Sequence, residues 1–370
     1  LFSDNMLRAG IVGMPNVGKS TLFNAITKSN VVAENYPFAT IDPNVGVVLV
    51  DDPRLEVLHK IHQKSKIVPT AFQFIDIAGL VKGASKGEGL GNQFLSNIRE
   101  VDAICQVVRC FLDDDIIHVE GEVNPIRDIE TITMELALAD LEIIDRRLPK
   151  LEKRVQLKED DAILEFGVLS KIKKSLEELT DPKNIELTNQ ERKAIKNFNF
   201  LTLKPIIFLA NIADDDIGNL DNNKMYQDLK NYLKQYNHVL IPVSIKLESE
   251  IASLSKEEQV DFLHEYGLER PTLDEIISKT YDLLGLKTFF TMGDDETRAW
   301  PFKNGMTAPQ CAGTIHTDFQ KGFIRAETVS YDDLVAAGTY QRAKELGKVR
   351  LEGKEYLPKD GDIMFFRFNV

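Results

Sequence analysis

The chain has 370 residues, 43% of them hydrophobic, which is enough to bury more than one core, so two or three domains are expected. A formal net charge of −13 excludes nucleic-acid binding through the overall field: any RNA contact must come from a local patch, and DNA is not an expected partner. Cys105, Cys110 and Cys311 are odd in number and lack metal-ligand spacing, no signal-peptide pattern opens the chain, and no apolar run approaches the ~20 residues that span a bilayer. The expectation is a cytosolic, cytoplasmic protein with buried thiols and no membrane contact.

Taken in order, the apolar run Leu7–Val12 reads as a buried strand, and Gly13-Met14-Pro15-Asn16-Val17-Gly18-Lys19-Ser20-Thr21 follows it as G-x-x-x-x-G-K-S-T. Leu22, Phe23, Ala25 and Ile26 then open an amphipathic helix, the context a phosphate-binding P-loop needs. Residues 34–43 hold two prolines and no helical period, and read as a loop. Val45–Val50 is strand-like, and Asp52-Pro53 opens a short helix with Leu55, Leu58 and Ile61 at helical spacing. Ala71–Ile75 is a further strand ending in Asp76-Ile77-Ala78-Gly79; the glycine-rich residues 83–91 read as a mobile loop, Phe94–Arg99 as a helix and Ala103–Cys110 as a strand. The acidic run Asp113–Asp115 and His118 follow.

The period then changes. Leu141, Ile144, Leu148, Leu151 and Val155 alternate steps of three and four, and Ile163, Phe166, Leu169, Ile172, Leu176 and Leu179 form a second stripe beyond a polar break at Lys158–Asp161. This predicts an antiparallel helical hairpin inserted at residues 131–199 into an α/β domain made of 7–130 and 200–286. Strands Pro205–Asn211 and Val239–Ser244 resume that domain, and helices near Glu257–Tyr266 and Leu273–Leu284 close it. From 287 to 370, strands at Phe289–Thr291, Arg298–Phe302, Phe323–Thr328 and Gly361–Phe368, with a helix near Tyr331–Ala336, indicate a small α+β module.

The chemistry gathers around a nucleoside triphosphate. The P-loop backbone would cradle phosphates, Lys19 would meet the β- and γ-phosphates, and the Ser20 hydroxyl would sit on Mg²⁺. Thr40 has the position of a switch threonine that completes the Mg²⁺ shell, Asp76 that of a carboxylate holding a Mg²⁺-bound water, and Gly79 that of an N–H donor to the γ-phosphate. Leu80 stands where many GTPases orient the attacking water with glutamine, so intrinsic hydrolysis is expected to be slow. Two substitutes stay open: His118 polarising the water, against its being an ordinary surface histidine, and Asn16 acting through a monovalent cation such as K⁺. Asn211-Ile212-Ala213-Asp214 occupies the place of the guanine-reading N-K-x-D without its lysine, and Ser244-Ile245-Lys246 looks like the loop that backs up guanine.

The P-loop continued by Leu22-Phe23-Asn24, residues 35–43 (Asn-Tyr-Pro-Phe-Ala-Thr-Ile-Asp-Pro), residues 76–92 beginning Asp-Ile-Ala-Gly-Leu, and residues 315–327 beginning Ile-His-Thr-Asp-Phe-Gln resemble the YchF/Obg-like ATPase family from Met6 to Val370. The resemblance implies an α/β P-loop NTPase G domain of Obg type with an inserted α-helical hairpin (coiled coil) and a C-terminal β-grasp (TGS) domain. It implies ATP hydrolysis in preference to GTP, Mg²⁺ as cofactor, and ribosomes with their RNA as partners. By position it assigns Asn16, Val17, Gly18, Lys19, Ser20 and Thr21 to phosphate binding, Ser20 and Thr40 to Mg²⁺, Ile212 to adenine, and His118 to a loop near the site. The family usually has glutamate at the place of Asp214 and lacks the S-x-K of Ser244. An Obg-like GTPase, or an RNA-binding module whose conformation nucleotide sets, are the alternative readings.

Overall fold

A computed structural model describes residues 6–29, 42–63, 65–78, 90–113 and 121–369. The first sheet is built from β1 (Arg8–Gly13), β2 (Val45–Leu49), β4 (Ala71–Asp76), β5 (Ala103–Arg109), β6 (Ile206–Asn211) and β7 (Val239–Val243), in the order β2-β4-β1-β5-β6-β7. All neighbours run parallel except β2 against β4. Every residue of β5 is buried, the signature of a central parallel strand covered on both faces. The period of two divides the side chains between two cores. Val107 and Leu209 meet Leu22 and Ile26 of α1 (Lys19–Ser29) and Ile276 and Ile277 of α10 (Thr272–Leu283). Val108, Phe208 and Ala210 meet Tyr226, Leu229 and Leu233 of α7 (Lys224–Gln235).

The helical insertion begins earlier than its apolar stripe. Asn124 caps α4 (Pro125–Gln156), a single helix of 32 residues whose first turns bury Ile129, Ile132 and Leu136 against the sheet. At 1.5 Å per residue it runs on for about 48 Å, so the boundary read at residues 130/131 falls inside one continuous rod. Its far half packs Ile144 and Leu151 against Leu169, Ile172 and Leu176 of α5 (Asp160–Glu177), and Arg147 grips Glu165 through two hydrogen bonds of 2.7 and 3.1 Å. Of the second predicted stripe, Ile163 and Leu179 point outward instead. Leu179 sits at φ 58°, in the left-handed closing position of a Schellman turn (Thr180 N–H to Ser175 O, 2.9 Å) where glycine is usual.

Where the arm returns, Asp140 is fully buried and accepts from Leu201 N (3.1 Å), Thr202 N (2.9 Å) and Thr202 Oγ1 (2.6 Å), clamping residues 201–202 to the middle of α4. Beside it the Lys204 ammonium donates to Val101 O, Arg99 O and Asn199 Oδ1, and burial pulls its pKa down.

The second sheet has the order β11-β10-β12-β8-β9-β3, from β8 (Leu286–Met292), β9 (Glu296–Lys303), β10 (Phe323–Val329), β11 (Arg350–Glu352), β12 (Ile363–Phe368) and, unexpectedly, β3 (Lys66–Val68). β3 pairs parallel with β9, and the preceding helix α2 (Pro53–Ile61) buries Leu55 and Leu58 against Phe290, Ala299 and Val329. Arg54 pairs with Asp360 at 3.0 Å and lies over the Phe290 ring. Residues 53–68 thus pack as part of the C-terminal unit, which the boundary read at 286/287 leaves out. Among the described residues, no helix is long and apolar enough to cross a membrane.

Candidate nucleotide site

The P-loop joins β1 to α1. Asn16 and Gly18 both take left-handed backbone, φ 62° and 101°, and this is what turns the chain around the cradle. Gly18 is held to glycine twice over, since a Cβ there would lie 2.6 Å from the Asn211 amide nitrogen. Val17 and Met14 turn their side chains into the core, so Val17 has only its backbone to offer a ligand. Ser20 and Thr21 are exposed on the first turn of α1, which carries no acidic residue to repel an anion. Lys19 reaches across to the Asp76 carboxylate at the end of β4 and forms an ion pair with it; both side chains are mostly buried. Two motifs 57 residues apart in sequence are thereby brought to one point.

The base-side residues also brace the site. The Asn211 amide donates to Val17 O (2.9 Å) and accepts from Ile245 N (3.2 Å), so it ties the P-loop to the start of α8 (Ile245–Ala252). One amide hydrogen is left for any base contact. The Ile212 side chain is buried among Phe208, Tyr226 and Leu229, and its N–H is taken by Val243 O. Its part in base binding reduces to its carbonyl. The acidic turn is not simply solvated either. Asp214 accepts from the Ser244 hydroxyl, with Lys246 Nζ at 3.9 Å, and Asp216 accepts from Asn223 at 3.1 Å; Asp215 alone of the three has neither contact.

Arg109 was not singled out from the sequence. It ends β5 beside Asn211, is 1% exposed, and donates to Phe111 O (3.1 Å) and Asp113 O (3.0 Å), fixing the backbone just beyond the strand. A charged residue closing a mostly apolar strand was the available signal. Burial pushes Cys105 and Cys110 up to about 12, leaving inert thiols as expected. Thr40, Gly79 and His118 lie outside the described residues, as do most of loop 34–43, residues 83–89 and the end of the acidic run.

Mg²⁺ is the ion that a P-loop site implies. Among the described residues no group of three His, Cys, Asp or Glu gathers as a protein cage. A serine hydroxyl and one carboxylate beside a phosphate cradle suit a hard ion that keeps its waters and shares phosphate oxygens, so the residues present fit it.

Two family models match the chain: residues 8–143 match one described as a 50S ribosome-binding GTPase, and residues 286–369 match the YchF-GTPase C-terminal model, described as a protein of unknown function. The ribosome-binding ATPase YchF of Bacillus subtilis is 54% identical over 364 residues, covering 98% of this chain and 100% of that protein. Its counterpart in Mycoplasma genitalium is 50% identical, covering 99% and 100%. The solved YchF GTPase of Schizosaccharomyces pombe superposes with a TM-score of 0.88 at 40% identity, covering 98% of each chain. With identity at this level running from one end to the other, and with both the P-loop domain and the C-terminal sheet matched, the chain belongs to the YchF family.

Proposed function

We propose that the protein is a Mg²⁺-dependent nucleoside triphosphatase that binds and hydrolyses ATP in preference to GTP, acting as a ribosome-associated switch in the cytoplasm. The observation that carries this reading is the meeting of Lys19 and Asp76 at the mouth of a P-loop with an exposed Ser20. The Lys19 ammonium neutralises phosphate charge, and once it turns to a triphosphate the Asp76 carboxylate is free to hold a metal-bound water. Ser20 and Thr40, with Asp76 through a water, would hold Mg²⁺, which would offset the negative charge of the phosphates. Gly79 is assigned the γ-phosphate contact, His118 the attacking water, and Asn16 a K⁺ ion. The C-terminal unit is read as a TGS module. The relatives named above are called ribosome-binding ATPases, and this chain is proposed to share that role.

For base choice, the absent lysine leaves nothing to pack over guanine at position 212, while the Ile212 carbonyl suits the adenine amino group. Asp214 is already engaged by the Ser244 hydroxyl, which weakens it as a reader of guanine N1 and N2. ATP is therefore expected to bind more tightly than GTP, by a modest factor, since one good bidentate contact is worth about 1–3 kcal/mol. Asp214→Glu should widen the margin. Side-by-side titrations of both nucleotides, with and without EDTA, decide it; GTP binding tenfold tighter than ATP would make this an Obg-like GTPase.

We propose the root of the arm as the ribosome contact. Arg192, Lys193 and Lys196 are exposed around a cavity of about 610 Å³ and, among the described residues, have no acidic partner. In an acidic chain such a patch suits RNA phosphates. Reversing all three charges should weaken co-sedimentation with ribosomes by roughly tenfold or more at constant salt, with ATP affinity unchanged. Unchanged co-sedimentation would move the contact elsewhere.

A further inference from the structure

A second cavity, of about 370 Å³, opens on the opposite side of the first sheet from the P-loop end of the strands. Its floor includes Ile104 and Ile206, at the beginnings of β5 and β6, whereas Arg109 and Asn211 close the same strands at the nucleotide end. One wall is a run of rings: Phe208 meets His238 edge-on at 5.3 Å, Tyr236 stacks on His238 at 6.3 Å, and Tyr232 meets Tyr236 at 5.3 Å. The facing wall, from α4 and the end of α5, is mostly aliphatic, and its two polar members, Glu130 and Thr133, are exposed to water.

Two independent features at the mouth need an explanation. Leu179 and Met134 line it while 69% and 43% exposed, an uncompensated apolar surface. Leu179 also holds left-handed backbone that glycine would adopt without strain, so the chain keeps a costly side chain at a place where the turn itself asks for none.

The rim indicates what such a cavity receives. Asp181 is satisfied by the Lys183 backbone N–H (2.9 Å), the Lys183 ammonium (3.3 Å) and His238 Nε2 (3.5 Å), and Lys183 also donates to Thr202 O. Lys204 is committed to its three oxygen acceptors. No lining cation is left over for an anion, so stacking and apolar burial must supply recognition. We propose that this cavity is a binding site for an uncharged, planar aromatic molecule of one or two fused rings, separate from the nucleotide site.

The uncharged naphthalene fluorophore prodan, titrated with the full-length chain, tests this. Saturable binding to one site is expected, with Kd on the order of 100 µM or tighter, and undisturbed by saturating ATP. Thr133→Phe, which fills the mouth from an exposed position, should weaken binding about tenfold, and Leu179→Gly several-fold; Val260→Ser, removing an exposed apolar side chain elsewhere, should leave it unchanged. Circular dichroism matching the parent keeps the comparison to folded proteins. Absence of saturation, displacement by ATP, or equal affinity in Thr133→Phe and Leu179→Gly would each overturn the assignment. Because the readout uses no hydrolysis, it stands apart from the ATPase reading.

Discussion

Lys19→Ala is expected to lower nucleotide turnover by at least a hundredfold, on the scale of losing one preorganised donor to developing charge. Two losses act together. The cation that meets the β- and γ-phosphates disappears, and Asp76 is left as an unpaired, mostly buried carboxylate at a site that must accept a polyanion. Triphosphate binding should therefore weaken along with the chemical step, whereas removal of a group acting only in the transition state would spare it. Single-turnover hydrolysis and a separate nucleotide titration resolve the two. Turnover within about twofold of the parent would show that the P-loop is not the catalytic cradle.

Asp140→Ala should be the most destabilising single change away from the site. It orphans three donors, Leu201 N, Thr202 N and Thr202 Oγ1, in a place with no exposure to water. Each buried unsatisfied donor costs about 1–3 kcal/mol, and here three are orphaned at once. The first structure to loosen is the return from the arm, so amide exchange at Leu201 and Thr202 should accelerate before the C-terminal sheet is affected. Asp140→Asn recovers only part, because its amide nitrogen faces donors where an oxygen is required. A fall in melting temperature of less than about 2 °C for the alanine variant would refute the clamp.

The parts that were legible in the sequence are those whose signal is local. The P-loop is a nine-residue pattern between a strand and a helix, and the arm announces itself through two apolar stripes with steps of three and four residues. Asp76 was legible because it ends a strand in fixed order after the P-loop. What escaped depends on distant packing. Asn211 has the amide of a base reader, yet Gly18 lies so close that this amide becomes a brace; only the fold reveals the approach. Ile212 stands where N-K-x-D has its lysine, and its apolar side chain is drawn into the core around Phe208. Leu55 and Leu58 show helical spacing without saying which sheet they cover.

The pairing of β3 with β9 also sets a timetable for synthesis. Lys66 and its partner Glu296 are about 230 residues apart, so at roughly 5–20 residues per second β3 waits on the order of 10–50 s for its neighbour to be made. The arm, whose two helices are consecutive, completes its own contacts within that interval. Throughout it, Leu55 and Leu58 lack Phe290, Ala299 and Val329, and the nascent chain carries an uncovered apolar helix face beside an unpaired strand. A face of this kind is what holdase chaperones bind, and here it is covered only once residues 286–329 have been made.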